Sequence, residues 1–157
     1  MARERPSPDM QLNRFTDYGL RVLIFLCSQP STERVSLEFL ARTFNMNRHH
    51  LHKVSQRLSQ LGWINSARGK KGGISLAPAA RELNLGKIIG ELETDINPID
   101  CVGVACPITG TCRLQGVLLE ASEAFISVLS SYRLEDLQMS DLAAIRLLEN
   151  GSTRAET

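Results

Sequence analysis

Between Glu38 and Glu82 the chain carries no acidic residue, yet this interval holds Arg42, Arg48, Lys53, Arg57, Arg68, Lys70, Lys71 and Arg81, with His49, His50 and His52 among them. A block of one sign has no ion-pair partners of its own, so it either solvates its charge or offers it to an anion. The apolar spacing inside the block favours the second. Ser36 is placed to cap a helix that buries Leu37, Leu40 and Ala41. After the polar turn Asn45–Asn47, the residues Leu51, Val54, Leu58 and Leu61 recur at helical spacing, and Gly62 suits the left-handed residue that closes a helix. Arg48, His49, His52, Lys53, Gln56 and Arg57 fall on the opposite face. Two helices joined by a short turn, the second with a basic outer face, predict a helix-turn-helix whose second helix enters the major groove of DNA.

The next residues predict a wing. Trp63–Ala67 and Ile74–Ala77 read as strands, and Arg68–Gly73 reads as a tight basic turn in which glycine permits positive φ. Arg68, Lys70 and Lys71 at the tip suit phosphates or the minor groove. Lys53 and Arg57 suit phosphates, and Arg48, His49 and His52 are the candidates for base edges.

Upstream, Phe15, Gly19, Val22, Leu23 and Leu26 form one stripe, predicting a helix over Leu12–Ser28 that Pro30 ends. Asp17 near its start reads as a cap or as charge compensation of the helix dipole, with Arg21 as an i,i+4 partner. Downstream, Leu83, Leu85, Ile88, Ile89 and Leu92 predict a fourth helix ending near Thr94. A long helix runs from Cys112 to about Tyr132, with Leu114, Val117, Leu118, Ala121, Phe125, Val128 and Leu129 on a stripe wider than so small a core needs. That width predicts a dimerisation helix; ordinary core packing is the plainer reading. A weaker helix follows over Leu134–Leu148. The fold class expected is mostly α with a small β-hairpin wing, a winged helix-turn-helix plus a long dimerisation helix. Its parts are a disordered tail (1–9), a DNA-binding domain (10–80), a connecting helix (81–97), a loop (98–112), the dimerisation and C-terminal helices (113–149) and a second tail (150–157).

The loop carries Cys101, Cys106 and Cys112, three of the chain's four cysteines. Three thiols cannot pair evenly, and Cys27 lies in an apolar run where a free cysteine acts as a small hydrophobe. Zinc prefers four Cys/His ligands, and every histidine is near position 50. An iron–sulfur cluster takes thiolates and tolerates a different ligand at one iron. Cluster, zinc and redox thiol loop all remain open on spacing alone. No run of 18 apolar residues suggests a membrane span, and the charged start has no signal-peptide character, so a reducing cytoplasm and metal binding are expected. No nucleotide, flavin or substrate-pocket fingerprint points to an enzyme.

Met10–Arg21 (MQLNRFTDYGLR), the wing Arg68–Ile74, the three-cysteine loop and the Cys112–Val117 segment together resemble one family, the winged-helix repressors that carry an iron–sulfur cluster. The resemblance covers about residues 10–140 and is strongest to the nitric-oxide-sensing members. A cluster-biogenesis branch places a histidine three residues after its last cysteine; here that position is Gln115. The resemblance therefore implies a 4Fe–4S cluster held by Cys101, Cys106, Cys112 and Asp17 of the other subunit, with a 2Fe–2S cluster as the alternative and zinc behind it. Arg21 would orient or neutralise that carboxylate. It further implies a homodimeric repressor on double-stranded operator DNA, with nitric oxide as signal. Sensing of iron, cluster supply or redox state by the same fold, or a zinc-stabilised regulator, are the alternatives.

Overall fold

The structure, a computed structural model, describes residues 11–101, 103–141, 143 and 146. The expected tails and positions 142, 144, 145, 147 and 148 of the expected C-terminal helix lie outside the described residues. Helix α1 (Arg14–Cys27) is the centre of the molecule. It packs against α3, β2, α4 and a 3-10 turn at Leu134–Leu137, whose ranges are given below. Being flanked on several sides, it buries more than the predicted stripe: Val22, Leu23, Phe25, Leu26 and Cys27 are all buried. Its cap is Asn13, whose side chain accepts the Thr16 N–H at 2.8 Å. Asp17 is thus a first-turn acid and not the cap, and its carboxylate accepts from Arg21 Nε at 2.8 Å. The other end of α1 lacks a basic residue of its own; Arg81 donates to the Cys27 and Gln29 carbonyls, and Gln138 Nε2 donates to Cys27 O at 2.6 Å. These donors satisfy carbonyls that a helix end leaves without intrahelical partners.

Helices α2 (Leu37–Thr43) and α3 (Arg48–Gln60) form the helix-turn-helix. Ser36 Oγ accepts from the Phe39 N–H, and Asn47 Oδ1 accepts from the His50 N–H. Between them Asn45 turns the chain at φ +51°. Leu51, Val54 and Leu58 are fully buried, worth roughly 1.5–3 kcal/mol each in apolar transfer. At the far end the Gly62 N–H donates to Ser59 O and the Trp63 N–H to Leu58 O, both at 3.0 Å, with Gly62 at φ +72°. This is the glycine closure expected from the sequence.

Strands β1 (Ile64–Ala67) and β2 (Gly73–Leu76) pair antiparallel, from Ile64 opposite Leu76 to Ala67 opposite Gly73. One more bond, Ala77 N–H to Trp63 O, extends the ladder at its base. A third partner was not expected. Val35 and Ile74 exchange both backbone bonds at 2.8 Å, tying the wing to the segment before α2. Gly73 permits that approach: a Cβ there would lie 2.7 Å from Val35 O. After a 3-10 turn (Pro78–Glu82) comes α4 (Leu85–Leu92), two residues shorter at each end than the expected Leu83–Thr94, and after the cysteine loop α5 (Arg113–Ser130). A 3-10 turn at Leu134–Leu137 replaces the predicted start of the last helix. Its fully buried Leu134 inserts into the core beside α1. The molecule is mostly helical with one hairpin, as the sequence led us to expect.

Candidate functional site

The exposed side of α3 and the wing enclose a groove of about 720 Å³, lined among others by His52, Gln56 and Gln60 of the helix and by Arg68 and Lys70 of the wing turn. The fold thus brings His52, Arg68 and Lys70 onto one surface. Lys71 is exposed on the same turn but outside the lining. Two other basic candidates are engaged. Arg48 Nη1 is 2.9 Å from Glu38 Oε2, which shares its carboxylate with Arg42, and Arg57 Nη2 is 3.0 Å from Glu91 Oε2 on α4. These pairs are substantially exposed, so each contributes about 0–1 kcal/mol, small enough for a phosphate to displace the acid. His49 and Lys53 line a second pocket at the start of α3.

All four cysteines are free. Cys27 belongs to the core, whereas Cys101 is buried in the loop and Cys106 and Cys112 are half-buried. The loop is a run of turns: the Cys106 N–H donates to Cys101 O at 3.3 Å, and the Thr109 N–H donates to Cys106 O at 3.1 Å. Burial first, then the neighbouring charges of Cys106, Cys112 and Asp100, push the Cys101 thiol up from its ordinary value. Cys112 is the N-cap residue of α5, and among the described residues no side chain caps that helix. The first N–H groups of α5 consequently lack acceptors, and the positive end of its dipole meets the loop.

Among the described residues no three His, Cys, Asp or Glu side chains surround a point where one metal ion would sit. A zinc ion needs that convergence; a cluster spreads its thiolates over separate irons. Three thiols beside an uncapped helix start fit an anionic iron–sulfur cluster in donor chemistry. Asp17 is not gathered with them within the chain. It lies in a shallow pocket with Gln11, Leu12, Arg14 and Arg21.

Helix α5 has 18 residues and buries none of them. The broad apolar stripe divides in two. Leu118, Phe125 and Leu129 are half-buried, and α5 packs on α4. Leu114, Val117, Ala121, Ala124 and Val128 are exposed. Their spacing of three and four residues is that of a heptad seam. No helix among the described residues is long and apolar enough to cross a membrane.

Reading along the sequence missed Arg14, Tyr18, Glu38 and Glu91 as parts of the basic face. Only Tyr18 and Arg14 carried a signal, since both lie in the Met10–Arg21 segment.

Residues 12–140 match a family model described as "Rrf2: Iron-dependent Transcriptional regulator". The HTH-type transcriptional regulator NsrR of Geobacillus kaustophilus is 39% identical over 142 residues, covering 88% of this chain and 96% of the relative. NsrR of Bacillus subtilis is 37% identical over 143 residues, covering 89% and 98%. Among solved structures, CymR, the global cysteine regulator of B. subtilis, superposes with a TM-score of 0.64 at 28% identity, covering 81% of this chain and 95% of that one. IscR of T. potens shares the fold with a TM-score of 0.62 at 23% identity, covering 83% and 93%.

Proposed function

The chain belongs to the Rrf2 family of transcriptional regulators, proteins that are not enzymes, and on that premise we propose that it is a cytoplasmic repressor that holds operator DNA as a homodimer, binds a 4Fe–4S cluster and releases DNA in response to nitric oxide. The observation that carries this reading is the trio of free thiols Cys101, Cys106 and Cys112 on one loop, next to the uncapped start of α5. The relatives' shared name, NsrR, supports the same reading.

The three thiolates would hold the cluster, with the partner subunit's Asp17 as fourth ligand. When bound, the cluster supplies iron, the atom with which nitric oxide reacts. The chain's own residues do the rest. Asp17 stands on α1, which packs directly on the recognition helix α3. A ligand from α1 of one subunit to the loop of the other would fix the separation of the two α3 helices near one DNA turn, roughly 34 Å. The exposed seam of α5 would carry the subunit contact. Arg21 holds the Asp17 carboxylate while it is unligated. A nearly complete switch needs about 5.5 kcal/mol of differential affinity, and the loss of a tie between subunits is the residue-level change that would supply it.

Anaerobic protein is tested by iron and sulfide counts and by DNA binding, beside a Cys106→Ser variant. The reading expects about four irons per chain in the native protein, with iron content and tight DNA binding lost together in the variant. Stoichiometric zinc, or a variant that binds DNA as tightly as the native protein, would overturn it.

A further inference from the structure

The second pocket, at the start of α3, is assigned to nothing above. Its volume is about 350 Å³ and its lining is Arg14, Tyr18, Asn47, His49, His50 and Lys53, with no acidic residue. We propose that it is a seat for a backbone phosphate of duplex DNA, with Arg14 and Tyr18 of α1 as DNA contacts beside the helix-turn-helix. The proposal rests on the DNA-binding reading and extends it to the first helix.

The donors can be counted. Helix α3 begins at Asn47, and its first N–H groups have no intrahelical acceptor. The His50 N–H is taken by Asn47 Oδ1 at 3.0 Å, and the Asn47 N–H donates to Tyr18 Oη at 3.3 Å. The N–H groups of Arg48 and His49 are left for an external acceptor. Because Tyr18 Oη already accepts, its own proton is free to donate. His50 is packed against Phe15 and Tyr18, with ring centroids 6.1 and 5.3 Å away, so the pocket wall is fixed before a ligand arrives. Arg14 and Lys53 are exposed and add full positive charges from two helices. The nearest acid on α1, Asp17, is occupied by Arg21. Preformed N–H groups with two cations suit a phosphate diester, and the pocket lies at the N-terminal end of α3, the end of a recognition helix that meets DNA.

The test is the salt dependence of binding to a mixed-sequence DNA duplex, with the 157-residue chain, for native protein, Arg14→Gln, Arg14→Lys and the wing control Lys70→Gln/Lys71→Gln. A lost phosphate contact lowers the slope of log K against log salt by about 0.9. We expect that drop for Arg14→Gln, with a several-fold loss of affinity at low salt, and a near-native slope for Arg14→Lys. A native slope in Arg14→Gln beside a reduced slope in the wing control overturns the phosphate seat and leaves the DNA-binding reading intact. A salt-independent native protein would instead sink the DNA-binding reading. Arg14→Gln with a native DNA slope but weakened competition by inorganic phosphate would mean a site for the free anion, and also refutes the proposal.

Discussion

Replacing Gly73 by alanine should detach the wing from the body of the domain. Gly73 has φ +135°, a conformation open to glycine and strained for other residues. Such strain costs on the order of 1–3 kcal/mol. The new Cβ would also lie 2.7 Å from the oxygen and 2.9 Å from the carbon of the Val35 carbonyl. These are backbone atoms, so no side chain can swing aside. Relief requires that Val35 and Ile74 part, breaking two hydrogen bonds of 2.8 Å, each worth about 1 kcal/mol net. Strain and separation partly replace one another, so the expected loss is about 3 kcal/mol rather than the sum. Gly69→Ala is the comparison. It has φ +100° but nothing within 4 Å of the added Cβ, so it bears strain alone. Urea unfolding at matched protomer concentration reads both, as a shift of midpoint at constant m. The alanine at 73 should cost at least about 1 kcal/mol more than the one at 69, the net value of one hydrogen bond. Equal costs would refute the role given to the Val35 contact.

Two further outcomes follow from the same structure. Val117→Glu places a charge in the exposed seam of α5, and sedimentation should show a shift from dimer to monomer with helical content unchanged; a native dimer would remove the seam from the interface. In protein stripped of metal and held reduced at neutral pH, alkylation should label half-buried Cys106 and Cys112 before Cys101 and Cys27, whose thiols burial pushes up. The sign follows: the folded state keeps those two protonated, so raising the pH through the ordinary thiol range should narrow the gap in rate and lower stability. Cys27 labelling first would contradict its place in the core.

Local signals were legible in the sequence, and long-range partners were not. Ser36 as a cap, Gly62 as a helix stop and the buried face Leu51–Val54–Leu58 depend on residues within one turn of each other. The sequence's acid-free interval was real, yet Glu38 at its edge and Glu91 beyond it reach Arg48 and Arg57, because α2 packs on α3 and α1 packs against both α3 and α4. Charge counted along a chain does not report charge across a fold. Of the two roles open to Asp17, charge compensation in the first turn holds and the cap falls to Asn13, which long-range bonds to Glu93 also tie in place. Val35 gave no strand signal at all, since a single bridging residue has no period. Tyr18 and Arg14 lie outside the basic block, and only folding brings them to the start of α3. Of the proposed cluster site, the three loop cysteines stood out by their spacing, whereas the proposed role of Asp17 as a ligand came from family resemblance alone, because a ligand supplied by another subunit would leave no spacing to read.

The central claim is that DNA affinity depends on a nitric-oxide-sensitive cluster held by the Cys101–Cys112 loop. Its most direct test is an anaerobic titration of the native protein with nitric oxide, following visible absorption and operator binding in one sample. The account predicts a brown protein whose cluster absorption and DNA affinity fall together over the same few equivalents. A cluster destroyed while DNA stays bound, or DNA released from a protein with no cluster to lose, would contradict it.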